Sequence, residues 1–263
     1  MLISLPMYGV VTEDVEAFWQ ALRRQLIQLS GSDFPATLQW PEDLLSHWQQ
    51  PDLLLSQTCG FPLVAFLPQV QLVGTFSYDA PGCHGPYYRS FLVVRDEDRH
   101  ASLNDFRGRR VAFNSADSQS GYNALRAQIA PLAESGQFFS LALESGGHRR
   151  SLEFIRQGLA DIAAIDCVTM ALLRRYQAHE LTGLSIIGET AAAPGLPLIT
   201  SAATPPETHN LLRLALLETV ASPQNVALCE RLLIRHFSVL PREEYQVIEQ
   251  MKEQARQQGV TGL

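Results

Sequence analysis

Apolar and polar positions follow two different periods along this chain. Val15, Phe18, Leu22, Leu26 and Leu29 recur at helical spacing, which predicts an amphipathic helix over 13–29. Thr12 stands where an N-cap belongs, Glu13 and Asp14 suit the positive end of the first turn, and Gly31 ends the pattern. Short apolar runs of strand type occupy 3–8, 52–56, 70–78 and 88–95. Cys59-Gly60-Phe61-Pro62 turns the second of these into a short helix, and Ala80-Pro81-Gly82 with Gly85-Pro86 marks a loop.

The middle of the chain alternates regularly. Strands are predicted at 110–114, 138–143, 162–165 and 184–188, with helices at 120–132, around Leu152, Ile155 and Leu159, and at 168–176. Pro194-Gly195-Leu196-Pro197 leads into a strand at 198–201, after which only helices are expected, at 206–221, 223–236 and 241–257. Short apolar strands alternating with helices predict an α/β fold with mixed, mainly parallel sheets. No repeat or polar tether divides the chain, so two lobes would be joined by crossing strands.

Composition narrows the function. The net charge is -7 with no long basic cluster, which argues against nucleic acid as a partner. A small anion is a different case, because a few aimed N–H groups can hold it inside an acidic protein. No apolar run reaches membrane-spanning length, and Met1 to Tyr8 has neither a basic start nor a small-residue cleavage site. A native start at Met1 would place the protein in the cytoplasm, and a removed export signal would place it in the periplasm. The cysteines Cys59, Cys83, Cys167 and Cys229 have no zinc spacing and read as reduced thiols; a Cys59–Cys83 disulfide would require export. No metal and no cofactor is expected.

Three predicted strand ends carry polar groups. The first runs from Arg110-Val111-Ala112-Phe113-Asn114 through Ser115-Ala116-Asp117 into Ser118-Gln119-Ser120-Gly121. These residues lie where a helix start offers free N–H groups and a positive dipole end, and the two hydroxyls add donors. Gly121 would let a ligand approach the backbone. An ordinary N-cap explains the same serines equally simply. The second end is Glu144-Ser145-Gly146-Gly147-His148, where Ser145 or His148 would face the same edge or His148 would only flank a helix cap. The third is Ile165-Asp166-Cys167, where Asp166 would take a ligand donor or cap the next helix. Open α/β sheets bind ligands beyond the carboxyl ends of their strands, so three such ends together favour a site.

These segments resemble the phosphonate/phosphate-binding proteins of ABC transporters, which have the two-lobed type II periplasmic-binding-protein fold. The resemblance is carried by Leu5-Pro6-Met7-Tyr8, Gln57-Thr58-Cys59-Gly60-Phe61-Pro62-Leu63, Tyr88-Arg89-Ser90 and Ser102-Leu103-Asn104-Asp105-Phe106-Arg107-Gly108. Asp117-Ser118-Gln119-Ser120-Gly121, Gly147-His148 and Gly158-Leu159-Ala160-Asp161-Ile162-Ala163-Ala164-Ile165-Asp166 continue it, so it spans most of 2–201. It implies a hinge cleft, lobe one from 1–90 with 195–263, lobe two from 91–194, and an ABC permease as partner. It implies further that Ser118, Gln119, Ser120 and Gly121 hold the oxygens of a small phosphate-, phosphite- or phosphonate-like oxyanion. His148 would donate to the same group and Asp166 would bind the ligand's far end, with Thr58, Gly60, Phe61 and Tyr88 closing over it. Gln119 replaces a small hydroxyl residue, Phe61 brings no hydroxyl, and Cys167 stands where relatives have a polar or aromatic residue. These departures argue against an aminoalkylphosphonate. Two other readings keep the fold: a cytoplasmic ligand sensor, and an enzyme assembled from His148, Asp166 and Cys167.

Overall fold

Each of two contact units is built from two separate stretches of chain in this computed structural model, which describes residues 1–263. The first unit takes Met1–Tyr87 and Pro194–Glu244, the second Tyr88–Ala193 and Tyr245–Leu263. The chain therefore passes between them three times.

The first unit contains strands β1 (Leu2–Ser4), β2 (Leu53–Gln57) and β3 (Gln71–Tyr78). The second contributes β4 (Ser90–Arg95), β5 (Arg110–Phe113), β6 (Leu141–Glu144), β7 (Ile162–Asp166) and β8 (Leu184–Glu189). The chain then returns to the first unit for β9 (Pro197–Thr200) and β10 (Ile234–Ser238). The helices are α1 (Thr12–Ser30), α2 (Leu44–Trp48), α3 (Gly60–Ala65), α4 (Ala124–Ile129), α5 (His148–Arg156), α6 (Cys167–Tyr176), α7 (Pro206–Ala221), α8 (Val226–Arg231) and α9 (Gln246–Gln257).

In the first unit the strand order is β1-β2-β9-β3-β10, and in the second β6-β5-β7-β4-β8. Only the β1–β2, β5–β6 and β5–β7 pairs are parallel. The sheets are mixed, but the expected predominance of parallel pairing does not hold. Its cause lies in β4 and β9, the first long strands after a crossing, which enter their sheets antiparallel to both neighbours.

Helix α1 follows its predicted spacing, burying Val15, Phe18, Leu22 and Leu26 against Phe76, Leu198 and Leu216 of the first core. Gly31 closes it in the left-handed region at φ 69°, its N–H donating to Ile27 O. Thr12 is not the cap: Val11 holds that position, and the Thr12 hydroxyl donates to Glu13 instead.

The C-terminal part departs furthest from expectation. The helix predicted over 223–236 stops at Arg231, because Leu233 adopts φ 59° and redirects the chain into β10. The last helix was expected in lobe one, yet α9 belongs to the second unit. Ala255 and Val260 are part of the second core with Leu125, Ile129 and Phe138, and Asn123 Nδ2 donates to Ile248 O at 3.0 Å. No helix is long and apolar enough to cross a membrane.

Candidate functional site at three strand ends of the second unit

Strands β6, β5 and β7 are parallel neighbours, so their carboxyl ends share one edge of the sheet. Antiparallel β4 begins at that edge, with Ser90 opposite Asp166. Arg89 O accepts the Cys167 N–H at 3.0 Å, which puts Tyr88 next to the same strand end.

Beyond β5 the chain turns through Asn114 to Ser118 and enters a helical segment whose first turn is a π turn, Gln119–Asn123, running on as α4. Wide turns of this type recur at functional sites. Ser118 is the N-cap, and its Oγ accepts the Gly121 N–H at 3.0 Å. That leaves the Ser118 hydroxyl proton free to donate. The Asn123 N–H spans five residues to Ser118 O at 2.9 Å, and the Ser120 N–H meets no acceptor in the protein. Ser120 Oγ lies 2.9 Å from His148 Nε2, while its carbonyl accepts the Ser90 hydroxyl at 2.9 Å.

His148 opens α5 after two glycines, and Gly146 sits at φ 88°, where a side chain would be strained. The preceding turn is tied to β5 by Ser145 N–H to Phe113 O at 2.8 Å and Gly146 N–H to Asn114 O at 2.7 Å. Ser145 Oγ also meets Ser151 Oγ at 2.7 Å, so Ser145 fixes this turn from within. The His148 side chain is partly exposed, but its Nδ1 is buried and makes no well-formed hydrogen bond. Burial pushes its pKa down to about 4, against a smaller opposite effect of the nearby Ala164 carbonyl. The ring is neutral at pH 7 and carries one N–H, so it can donate to Ser120 or accept from it.

Gly121 makes room for a neighbouring side chain: a Cβ there would lie 2.7 Å from Asn114 Oδ1. The Gln119 side chain points inward, Nε2 donating to Met251 Sδ at 3.4 Å and Oε1 accepting from Asn123 Nδ2 at 2.8 Å. For Asp166 the capping alternative is visible. Its Oδ1 accepts the N–H groups of Val168 and Thr169 at 2.7 and 3.0 Å, fixing the start of α6. Cys167 is wholly buried in the first turn of that helix.

Ser118, Ser120, Gly121, His148, Asp166 and Tyr88 are thus gathered by the second unit. Thr58, Gly60 and Phe61 lie in the first unit, where β2 passes into α3. The Thr58 N–H donates to Pro197 O at 2.9 Å, Gly60 begins the helix, and Phe61 packs edge-on against Phe66. Ser90 is the contributor that sequence reasoning missed. It lies within the Tyr88-Arg89-Ser90 stretch, but no spacing connects it to Ser120.

No group of three or more His, Cys, Asp or Glu side chains could hold a metal ion, and none of the four cysteines is in a disulfide. A cavity of about 480 Å³ lined by Val93, Met170, Arg174, Leu181 and Ile186, among others, shares no residue with these strand ends.

Residues 51–245 match the model of the family described as the periplasmic substrate-binding protein of phosphonate ABC transporters. A search of curated proteins finds no match. Among solved structures, a binding-protein component of an ABC phosphonate transporter from Pseudomonas aeruginosa is 15% identical with a TM-score of 0.78, covering 98% of this chain and 87% of its own. PhnD1 from Prochlorococcus marinus, solved with methylphosphonate, is 14% identical with a TM-score of 0.77 over 97% and 98% of the two chains. A Xanthomonas citri protein bound to ATP is 16% identical with a TM-score of 0.71 over 98% of each chain. These likenesses establish the two-lobed periplasmic-binding-protein fold.

Proposed function

This chain belongs to the periplasmic phosphonate substrate-binding protein family of ABC transporters, and on that premise we propose that its second unit holds a phosphate-, phosphite- or phosphonate-like oxyanion where β5 enters α4. The observation that carries this reading is the Ser120–His148 hydrogen bond beside the Ser118 cap. The Ser118 hydroxyl and the Ser120 N–H are donors without another acceptor, at the positive end of a helical segment. With Nε2 protonated, His148 donates to Ser120 Oγ and frees the Ser120 proton for the anion. With Nδ1 protonated, that proton is spent on the ring. An oxyanion therefore favours the first tautomer.

In this reading the Gln119 side chain supports α4 from inside, and Asp166 sets the start of α6. The resemblance assigns Thr58, Gly60, Phe61 and Tyr88 to closing over the ligand. The protein captures and releases without chemistry: Cys167 is buried, and Asp166, its neighbour, is engaged in a cap. After export it acts in the periplasm and delivers its ligand to an ABC permease.

The experiment is a thermal-shift series with phosphate, phosphite, methylphosphonate, aminoethylphosphonate, sulfate and ATP, the last because one structural neighbour is a protein bound to ATP. A ligand at 100 times its Kd stabilises the fold by about 2.7 kcal/mol, a readily measured rise in Tm. No rise with any of these ions would sink the oxyanion assignment.

A further inference from the structure

We infer that Ser90 is a positioning residue for the oxyanion site, an inference that rests on the oxyanion reading above and deepens it. Ser90 acts through Ser120 rather than on the ligand. The reason lies in the π turn. In an α-helix the Ala124 N–H would bond the carbonyl four residues back, that of Ser120. Here it donates to Gln119 O instead, just as the Asn123 N–H donates to Ser118 O. Ser120 is buried, and a buried carbonyl passed over in this way costs stability unless another donor reaches it. The Ser90 hydroxyl is that donor, at 2.9 Å.

Ser90 is itself held firmly. It is only 1% exposed and stands opposite Asp166 in the β4–β7 pairing. Its N–H donates to Thr190 Oγ1 at 3.0 Å, and its carbonyl accepts the Thr190 N–H at 2.9 Å. The place of its hydroxyl is therefore set by the strands and not by the helical segment it serves. Ser90 lies just past Tyr87, where the chain leaves the first unit, and Thr190 just before Ala193, where it leaves the second. The bond that holds Ser120 is thus anchored in two of the three segments that join the units.

Strand pairing uses only the main chain, so an alanine at 90 would pair equally well. What it would lose is the hold on the turn. Without the hydroxyl, the turn gains by narrowing to the α register, in which the Ala124 N–H returns to Ser120 O. That change turns residue 120 about the helix axis. It moves the Ser120 N–H, and with it the Oγ that lies 2.9 Å from His148 Nε2. Ser90 therefore fixes where the donors of residue 120 point.

The test is calorimetric titration of wild type, Ser90→Ala, Ser90→Thr and Ser120→Ala with inorganic phosphate and with methylphosphonate at pH 8. Ligand-free Tm values and amide NMR spectra, free and saturated, are measured beside it. Ser90→Ala should raise Kd about 10-fold for the ion that wild type prefers. Ser90→Thr keeps the hydroxyl on a residue suited to a strand and should stay within about threefold of wild type. At saturation the ligand should shift the Ser120 amide proton less in Ser90→Ala than in wild type, because that N–H is no longer aimed. A role in stability alone would lower the ligand-free Tm of Ser90→Ala and leave both Kd and the Ser120 shift as in wild type, which overturns the inference. A folded Ser90→Thr as weak as Ser90→Ala overturns it too, and if Ser90→Thr does not fold, the Ser120 shift in Ser90→Ala decides. If Ser90→Ala binds within about twofold of wild type while Ser120→Ala is weakened, Ser90 does not position the site and the oxyanion reading survives. If wild type binds neither ion, both fall together.

Discussion

Ser120 Oγ and His148 Nε2 are 2.9 Å apart, although 28 residues separate them in the chain. Two helix starts from adjacent parallel strands meet at this one hydrogen bond. The affinity of the site should therefore depend on each partner. Ser120→Ala is expected to weaken oxyanion binding by about 1–2 kcal/mol, the contribution of one charge-assisted hydrogen bond. Calorimetry on a variant with an unchanged Tm measures it, and unchanged affinity would remove the serine from the site.

Acid should destabilise the protein partly through His148. Its native pKa is about 4 and the unfolded value about 6.5. Between those limits the unfolded chain binds a proton that the native protein excludes. Stability is thus lost as pH falls from 6.5 toward 4. His148→Gln keeps a polar group near Ser120 but cannot titrate. Urea melts at pH 7, 5.5 and 4.5 should show a shallower loss in that variant, and parallel losses would place the titration elsewhere.

Asp161 behaves in the same direction in a lower range. Burial alone would raise its pKa, but hydrogen bonds from Arg110 and Arg95, at 2.8–3.0 Å, outweigh it and hold the carboxyl well below the usual range. Its stabilisation is present above the unfolded value near 3.8 and fades as pH falls below it. Asp161→Asn leaves Arg110 without its counter-charge while Arg95 keeps Glu97, and should cost about 2–3 kcal/mol at pH 7, below the cost of breaking a fully buried pair because Arg110 is partly exposed. Denaturant titration reads the difference directly.

Asp166 should reveal a cap. Asp166→Asn retains an oxygen for Val168 and Thr169, whereas Asp166→Ala removes it and should cost about 1 kcal/mol. The ranking of oxyanions should stay the same in both variants. A changed ranking would restore Asp166 as a ligand contact.

How much of this was legible depended on whether the cause was local. Val15 to Leu26 announced α1 because one face of a helix is written at fixed spacing. Ser118–Gly121 and His148 were legible for a similar reason: a strand, a polar turn and a helix start are neighbours in sequence. Ser90 was not, since its bond to Ser120 arises only when β4 pairs with β7. The amphipathic face of α9 was readable, but an apolar stripe does not say which core it covers. Strand β10 was hidden by Leu233, whose left-handed backbone carries no glycine to flag it. The packing of Asn114 against Gly121 was not legible either, because that neighbour comes from the preceding strand end.

The placement of α9 bears on how the molecule is made. During synthesis the Ser118–Gly121 turn leaves the ribosome long before its support does, for Asn123 and Gln119 rest on Ile248 and Met251. Arg126 likewise donates to Thr261 O. A nascent chain halted before residue 245 would carry every strand of both five-stranded sheets and still lack the bed beneath the helical segment that carries Ser118 and Ser120. Ligand capture would then report that translation had run through the last helix.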